Sequence, residues 1–347
     1  MTARDAFREG IRRVNGAPMV LAGMFTLTLF VSLPLAYALR GMIAAHLGSS
    51  LAAGPAASAT NYDWWLEFSA QASGLGTTFV PSVAGFGAVL DNLSGLLDHT
   101  RLATTIVGVT VAWLLLWSFM AGGIVDRFAR ARRTRAHGFF GACGMHFWRL
   151  LRLGVAAWLV YGFLFRYVHG WIFARAYPWL TSDLTVERTA FVIRIAAYLV
   201  FLALLILCNI VFDYARVRIV VEDRRSALGA LLAGARFVRR HLGAALWLYA
   251  LNAAAFLMLI AIYAVLAPGV PHSSLAMWLV FGLGELYVLA RHYLKLLFYA
   301  SETVFFQGAL AHAAYTAAPA LVWPDSPAAE TIGNANPTTY TDRTALP

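Results

Sequence analysis

Residues 190–218 read AFVIRIAAYLVFLALLILCNIVFDYARVR, and this stretch decides the fold. Residues 190–212 of it are almost entirely apolar and carry a single charge, Arg194. An α-helix needs about 20 apolar residues to cross the hydrocarbon core of a bilayer. The stretch therefore predicts a transmembrane helix that is followed by the polar segment DYARVR.

The rest of the chain repeats this character. It has 347 residues, of which 60% are hydrophobic and 13% charged, and its mean hydropathy is +0.67. So little charge excludes a soluble enzyme, a disordered chain and a secreted disulfide scaffold. No run alternates with period two as a barrel strand does. We therefore expect an all-α polytopic membrane protein with six transmembrane helices, at residues 18–39, 102–123, 153–171, 190–212, 243–266 and 275–297.

The basic residues orient these spans. Of the 27 Lys and Arg residues, 20 fall on one predicted side of the membrane and six on the other, and Arg343 lies in the tail. Cytoplasmic loops carry such an excess. Both termini are therefore predicted in the cytoplasm, and the membrane is predicted to be a bacterial inner membrane. The predicted parts are a cytoplasmic amphipathic helix (1–17), a six-span domain (18–311) with cytoplasmic segments at 124–152 and 213–242, and a cytoplasmic tail (312–347).

The predicted outer loop, residues 46–101, is the one large loop on that side. Its NYDWWLEF segment contains Trp64 and Trp65, which suit a helix at the membrane interface. We expect both tryptophans to help dock a partner protein. Residues 79–99 are apolar but broken by Gly and Pro, which is typical of a surface cap or a shallow re-entrant segment.

An internal repeat links the cytoplasmic segments. DRFARAR at residues 126–132 and DYARVR at 213–218 share the order Asp, aromatic, Ala, Arg, x, Arg when one gap is allowed. Each is followed by an amphipathic stretch that leads into the next span, and the N-terminal DAFREGIRRVNGAP is similar. The sequence therefore predicts three units, each an interfacial helix followed by a helical hairpin. Such helices, with Arg on one face and large apolar residues on the other, are expected to bind anionic lipid head groups.

Two Asp–Arg pairs lie within this repeat. Asp126 and Arg130 are spaced i,i+4, and Asp213 and Arg216 are spaced i,i+3, so each pair can meet on one helix face. One interpretation is a gate or a clamp for a lipid head group. The other is an anchor at the end of a span, neutralised by its own salt bridge.

Two polar residues are predicted deep in the membrane. Glu285 lies about ten residues into the sixth span, and Asn252 lies at a similar depth in the fifth. A lone carboxylate at this depth must be protonated or paired. The pair is a candidate intramembrane site for a proton or cation, or a hydrogen-bonded bridge between helices.

A second candidate site lies in the outer leaflet. Arg166, His169 and Arg194 fall in the outer parts of the third and fourth spans. These side chains can extend to the interface, pair with acidic residues of the outer loops, or together bind an anion or head group.

Catalytic and metal-binding motifs are absent from the sequence. The nine histidines have no HExxH or other strong metal spacing, and no GxSxG, P-loop or CxxC occurs. We therefore predict no catalytic residue, no metal site and no cofactor.

The tail is rich in Ala, Pro and Thr, a composition typical of disorder. Trp323 in ALVWPDSP is its best candidate for docking a partner subunit.

Two segments of the chain resemble a known group of proteins. They are GGIVDRFARARRTRAHGFFGACG at residues 122–144 and DYARVRIVVEDRRSALGALLAGARFVRRHLG at residues 213–243. They resemble a loose group of bacterial six-span inner-membrane proteins, similar to the membrane domain of some glycerophosphodiester phosphodiesterases. The resemblance covers the spans and cytoplasmic helices from about residue 121 onward. It implies a six-span membrane domain; the phosphodiesterase activity is not carried over, because this sequence contains no such catalytic domain.

For function, the sequence favours a non-enzymatic scaffold or accessory subunit that binds lipid and partner proteins. The alternative is a transporter or lipid-handling protein with a polar path at Glu285, Arg166 and Arg194. A membrane enzyme is a third hypothesis, and it would require Asp, His and Arg side chains that converge on an open cleft. No nucleic-acid partner is expected, because the apolar content assigns the basic charge to a membrane surface.

Overall fold

The structure is a computed structural model that describes residues 1–48, 50–58, 61–79, 104–131, 134–267 and 273–310. Within these ranges the chain forms helices joined by short connections, and no strand occurs. A 3-10 turn at Gly74–Thr78 follows the fourth helix. In chain order the helices are α1 (Ala3–Asn15), α2 (Pro18–Leu47), α3 (Ala53–Ser58), α4 (Tyr62–Gln71), α5 (Thr104–Arg130), α6 (Ala136–Thr181), α7 (Glu187–Val221), α8 (Ala227–Arg240), α9 (Leu242–Leu266) and α10 (Ser274–Ala309).

Six of these helices are long and apolar enough to cross a membrane: α2, α5, α6, α7, α9 and α10. The prediction of an all-α polytopic protein with six spans is therefore confirmed. Most of the helices are longer than predicted, and α10 continues to Ala309 instead of ending near residue 297. Residues 299–307 of α10 are buried, so its additional turns are held by packing inside the protein and not by lipid.

The two halves of the bundle bury their side chains differently. We name one end the basic end, formed by α1, α8 and the last turns of α5, α7 and α10. There the large side chains Phe128, Tyr214 and Phe306 are almost fully buried. Elsewhere the spans point apolar side chains outward, and Phe30 and Trp158 are 80% and 72% exposed. Outward apolar surfaces of this extent suit contact with acyl chains.

The predicted cytoplasmic segment 124–152 does not contain a separate interfacial helix. Its amphipathic part forms the first turns of α6 and continues without a break into the third span. No proline interrupts residues 136–163, and glycines inside a helix cost only about 1 kcal/mol each. Farther along, π-helical turns at Leu164–His169 and Ile172–Ala176 widen the same helix.

Three close helix crossings build the basic end. Helix α1 packs on the end of α10, the start of α6 packs on the end of α5, and α8 packs on the end of α7. At each crossing a glycine lets the two backbones approach, because a Cβ atom there would lie 3.0 Å or less from the partner helix. The close pairs are Gly10 with Ser301, Gly123 with Cys143, and Gly234 with Ala215.

These crossings arrange the three predicted units in a ring. The interfacial element of each unit packs against the last helix of the preceding unit, and α1 packs against α10, the last helix of the third unit. The last helices α5, α7 and α10 each bury one carboxylate near the crossing: Asp126, Asp213 and Glu302.

Polar contacts fix α1 across the ring. Thr2 and Asp5 form a capping box at its start, and the hydrogen bonds from Thr2 lower the pKa of Asp5. At its end, one Nη1 atom of Arg13 donates to the carbonyl of Phe128 at 2.5 Å and to Oε1 of Gln307 at 3.0 Å. The N-terminal helix is thus tied to both α5 and α10.

Candidate functional site

A group of charged side chains lies inside the bundle, in the half nearer the basic end. We name the space between them the charged cavity. It has a volume of about 320 Å³ and is bounded by α5, α7, α9 and α10. Its lining residues are Trp117, Asn209, Asp213, Arg216, Tyr249, Lys295, Phe298, Tyr299 and Glu302. The lining therefore contains two acidic and two basic side chains.

Asp213 is buried and fully partnered by its own helix. Nη1 of Arg216 donates to its Oδ1 at 2.7 Å, and Nδ2 of Asn209 donates to its Oδ2 at 2.9 Å. The spacings i,i+3 and i,i−4 bring all three side chains to one face of α7. The predicted pair of Asp213 and Arg216 is thus confirmed, inside the protein and not at an exposed helix end.

Glu302 is the second acid of the cavity and is only 3% exposed. Among the residues that the structure describes, no Lys, Arg or His nitrogen lies within 4.0 Å of its carboxylate. Asp213 and Arg216 are its charged neighbours at longer range. Placing a carboxylate in a low-dielectric interior without a close cation is costly, so this residue is a candidate to bind a ligand.

The two cations lie against aromatic rings. The Nζ atom of Lys295 is 3.3 Å from the centre of the Trp117 ring, and the guanidinium of Arg216 is 4.9 Å from the centre of the Tyr299 ring. Nε1 of Trp117 donates to the hydroxyl of Tyr299 at 2.8 Å and so connects the two rings. Cation–π contacts hold a charge without neutralising it, which leaves Lys295 able to attract an anion.

The cavity is open to its surroundings. Lys295, the only lysine of the chain, is exposed, and the side chain of Arg216 retains 24% of its exposure. Asn209, Tyr249 and Phe298 are half-buried. A small polar group can therefore enter from the side of Lys295 and reach the buried carboxylate of Glu302.

The other predicted ion pair lies away from the cavity. Nε of Arg130 donates to both oxygens of Asp126 at 2.9 and 2.8 Å, which confirms the predicted salt bridge. Both side chains are less than 10% exposed, so the pair does not lie at a solvated head-group surface. The Nη1 atom of Arg130 is buried without a hydrogen-bond partner among the described residues.

The structure does not bring Glu285 and Asn252 together. Asn252 is buried and donates from Nδ2 to the carbonyl of Leu248 and to Oγ of Ser301, each at 3.0 Å. Ser301 lies sixteen residues beyond Glu285 on α10, which is about 24 Å along a helix. The two residues therefore do not form the hydrogen bond that the sequence suggests, because the register of α9 against α10 places Asn252 opposite Ser301 and Tyr263 opposite Tyr287. Glu285 is half-buried, its Oε2 atom has no described partner, and it does not line the charged cavity.

The predicted outer anion site has mostly exposed members. Arg166 and Arg194 are exposed, and their guanidinium groups lie 5.9 Å from the ring centres of Tyr167 and Tyr198, respectively. His169 is half-buried, with its ring 4.5 Å from that of Phe173 and 5.1 Å from that of Phe201. An anion site at these three residues stays a prediction.

The tryptophans predicted to dock a partner have different environments. Trp64 is 7% exposed, donates from Nε1 to Nδ1 of His46 at 3.0 Å and stacks on Phe68. Trp64 therefore packs α4 against the end of α2. The prediction that it docks a partner is corrected, because its side chain is buried inside the protein. Trp65 is half-buried and donates to the carbonyl of Phe79. Trp323 and the tail, and residues 80–101 of the outer loop, lie outside the described residues.

Sequence reasoning missed most of the cavity. Tyr299 and Glu302 were not singled out, because the sixth span was predicted to end near residue 297. Lys295 lies inside that predicted span and was only counted among the basic residues that orient the protein. Their spacing at i, i+4 and i+7 places them on one face of a helix, which is a signal that the sequence does contain. Within the described ranges, no group of three or more His, Cys, Asp or Glu side chains is arranged to hold a metal ion.

The chain was compared with known proteins. No family model, no curated protein and no solved structure matches it. The resemblance to six-span membrane domains therefore stays a prediction, and the geometry of the cavity carries the functional argument.

Proposed function

We propose that this is a lipid-handling membrane protein that binds a zwitterionic head group in the charged cavity. The observation that carries the proposal is that an acid, Glu302, and a base, Lys295, line one open space, and that neither has a close ion partner among the described residues. Charged residues inside membrane-spanning segments are expensive and mark functional sites by default. The sequence also suggested a lipid-handling protein, with a polar path at Glu285, Arg166 and Arg194. The proposed site now lies at Glu302 and Lys295 instead.

The chemistry of the lining suits a head group with an ammonium and a phosphate. The ammonium would approach the carboxylate of Glu302, with the rings of Tyr249 and Tyr299 beside it. The phosphate would bind at the mouth, between Lys295 and Arg216. A volume of about 320 Å³ is at the lower end of ligand-binding pockets, and it suits a head group whose acyl chains stay in the bilayer.

The orientation follows the basic residues. The basic end contains α1 and α8, with their exposed arginines Arg4, Arg8, Arg236 and Arg239. By the positive-inside rule, this end would face the cytoplasm of a bacterial inner membrane. The charged cavity would then lie in the inner-leaflet half of the bundle, within reach of lipids of that leaflet.

The variant Glu302→Gln tests the proposal, with Glu285→Gln as its matched control. Both remove one carboxylate from α10, but only Glu302 lines the cavity. Detergent-purified protein is incubated with equal amounts of phosphatidylethanolamine and phosphatidylglycerol, and the retained lipid is measured by native mass spectrometry. We expect wild type and Glu285→Gln to retain phosphatidylethanolamine preferentially, and Glu302→Gln to lose roughly tenfold or more of that affinity, as for a hydrogen bond to a charged group. Equal retention by the two variants would contradict the proposal.

A scaffold or accessory subunit is the second candidate function. Leu228 and Leu232 on α8 are 67% and 61% exposed and lie on one face, beside Arg236. Such a face can bind a lipid surface or a partner subunit. Mass spectrometry of the complex solubilised from native membranes distinguishes these cases, since a protomer that carries lipid alone would contradict the subunit hypothesis.

A further inference from the structure

A second open space lies at the basic end, between the end of α7 and the face of α8. We name it the arginine cleft. Its volume is about 410 Å³, and its lining residues are Arg218, Arg224, Gly229, Leu232, Ala233, Arg236, Phe237, Arg240, His241 and Leu310. It shares no lining residue with the charged cavity. Among the described residues, four arginines and a histidine line it, and no carboxylate does.

Glu222, which does not itself line the cleft, neutralises part of this positive charge. The carboxylate of Glu222 forms an ion pair with Nη2 of Arg218 at 3.4 Å and accepts a hydrogen bond from Nε of Arg224. Arg236 and Arg240 form no ion pair with any residue that the structure describes, and both are exposed. The cleft therefore keeps an excess positive charge of about three, on groups that point toward one space.

Arg218 gives the cleft a fixed inner wall. Its side chain is 12% exposed, and its guanidinium lies 5.3 Å from the ring centre of Phe306. Its Nε atom is buried and has no hydrogen-bond partner among the described residues. Arg236 and Arg240, one turn apart on α8, stand at the outer side. The guanidinium groups thus approach the space from two helices.

We propose that the arginine cleft binds a phosphate group that carries two negative charges, such as a phosphomonoester. Guanidinium groups bind phosphate oxygens in pairs, and an excess of about three positive charges favours a dianion over a phosphodiester with one charge. Leu232, Phe237 and Leu310 add an apolar wall next to the phosphate position. This proposal stands without the charged cavity, because it uses different residues and a different ligand charge.

The phosphate has two sources with the same chemistry: a lipid head group or a soluble phosphate. A binding experiment distinguishes them. Wild-type protein in phosphatidylcholine–detergent micelles is titrated with phosphatidic acid and, separately, with phosphatidylglycerol, and occupancy is read by native mass spectrometry. Each titration is repeated with millimolar inorganic phosphate or pyrophosphate as competitor. We expect phosphatidic acid to bind at least tenfold more tightly than phosphatidylglycerol.

The double variant Arg236→Gln/Arg240→Gln locates the site. Its matched control, Arg225→Gln/Arg239→Gln, removes the same charge from the same region at exposed positions that do not line the cleft. We expect the first variant to lose at least tenfold in affinity for phosphatidic acid and the control to lose less than threefold. Unchanged melting temperatures of both variants show that the fold is intact.

Each outcome decides the proposal. Loss confined to the first variant supports the cleft, with a soluble phosphate as ligand if the competitor displaces the lipid and a lipid head group if it does not. Equal losses in the two double variants, or equal affinities for phosphatidic acid and phosphatidylglycerol, would overturn it, because binding would then follow net charge alone.

Discussion

Lys295 contributes both to the packing of the bundle and to the proposed binding of a ligand. Its ammonium is placed over the Trp117 ring, and the indole is in turn hydrogen-bonded to Tyr299. An aromatic face keeps the charge available, whereas a carboxylate partner would neutralise it. The neighbouring Arg216 is held by Asp213 and by the Tyr299 ring, so the two cations of the cavity are positioned by different means.

The variant Trp117→Leu should destabilise the protein. It removes a cation–π contact worth about 0.5–2 kcal/mol and leaves the hydroxyl of Tyr299 without its donor. Trp158→Leu is the matched control, since Trp158 lies on α6 and is 72% exposed. Thermal unfolding in detergent should show a lower melting temperature for Trp117→Leu and little change for the control. Equal shifts would mean that the indole serves only as apolar bulk.

At the scale of the helix, close crossings hold the basic end together. A Cβ atom on Gly10 would lie 2.9 Å from the Cβ of Ser301 and 3.0 Å from its backbone, so the two helices would have to separate. At Gly123 the added atom would meet Cys143 and Phe139 in the same way. Glycine is used here for close approach, because Gly10 and Gly123 both lie inside helices with ordinary helical backbone.

Adding one methyl group at a crossing should therefore be costly. Gly10→Ala is expected to lower stability by about 1–3 kcal/mol, as overpacking does. Gly138→Ala serves as control, since a Cβ there would meet nothing within 4 Å and alanine is the better helix former. Chemical unfolding in mixed micelles should show opposite signs for the two variants. A neutral Gly10→Ala would show that α1 is free to shift.

Some of this architecture follows from the sequence alone. The six spans and the two Asp–Arg pairs were predictable because both depend on residues close together in the chain. The cavity was not, since Asp213 and Glu302 meet only through the packing of α7 against α10. Asn252 shows the same limit. Its polarity predicted a hydrogen-bond partner on a neighbouring helix, but the packing of α9 against α10 makes that partner Ser301 and not Glu285.

At the scale of the whole molecule, charge is unevenly distributed between the two ends. The exposed arginines of α1 and α8 lie at the basic end, whereas the opposite end, with α3, α4 and the 3-10 turn, has fewer basic residues, among them the exposed Arg40, Arg175 and Arg188. The tryptophan and phenylalanine side chains of α4 pack around His46 at that opposite end. This asymmetry supports the proposed orientation.

Labelling of single introduced cysteines tests the orientation. Arg8→Cys places a thiol on exposed α1, and Leu51→Cys places one at a fully exposed position beyond α2. In cells with a permeable outer membrane, an impermeant maleimide should label Leu51→Cys alone, and lysis should expose Arg8→Cys to the reagent. The unmodified chain, with Cys143 buried and Cys208 half-buried, provides the background. The reverse pattern would place the basic end outside.

The contact between α1 and α10 also sets an order of events during translation. Gly10 leaves the ribosome 291 positions before its partner Ser301. At a synthesis rate of 5–20 residues per second, α1 waits about 15–60 s before the helix that covers it exists. Until then its apolar face must rest on the membrane surface or on a chaperone. During this interval α1 is open to proteases, and its protection should appear only when the last span is inserted.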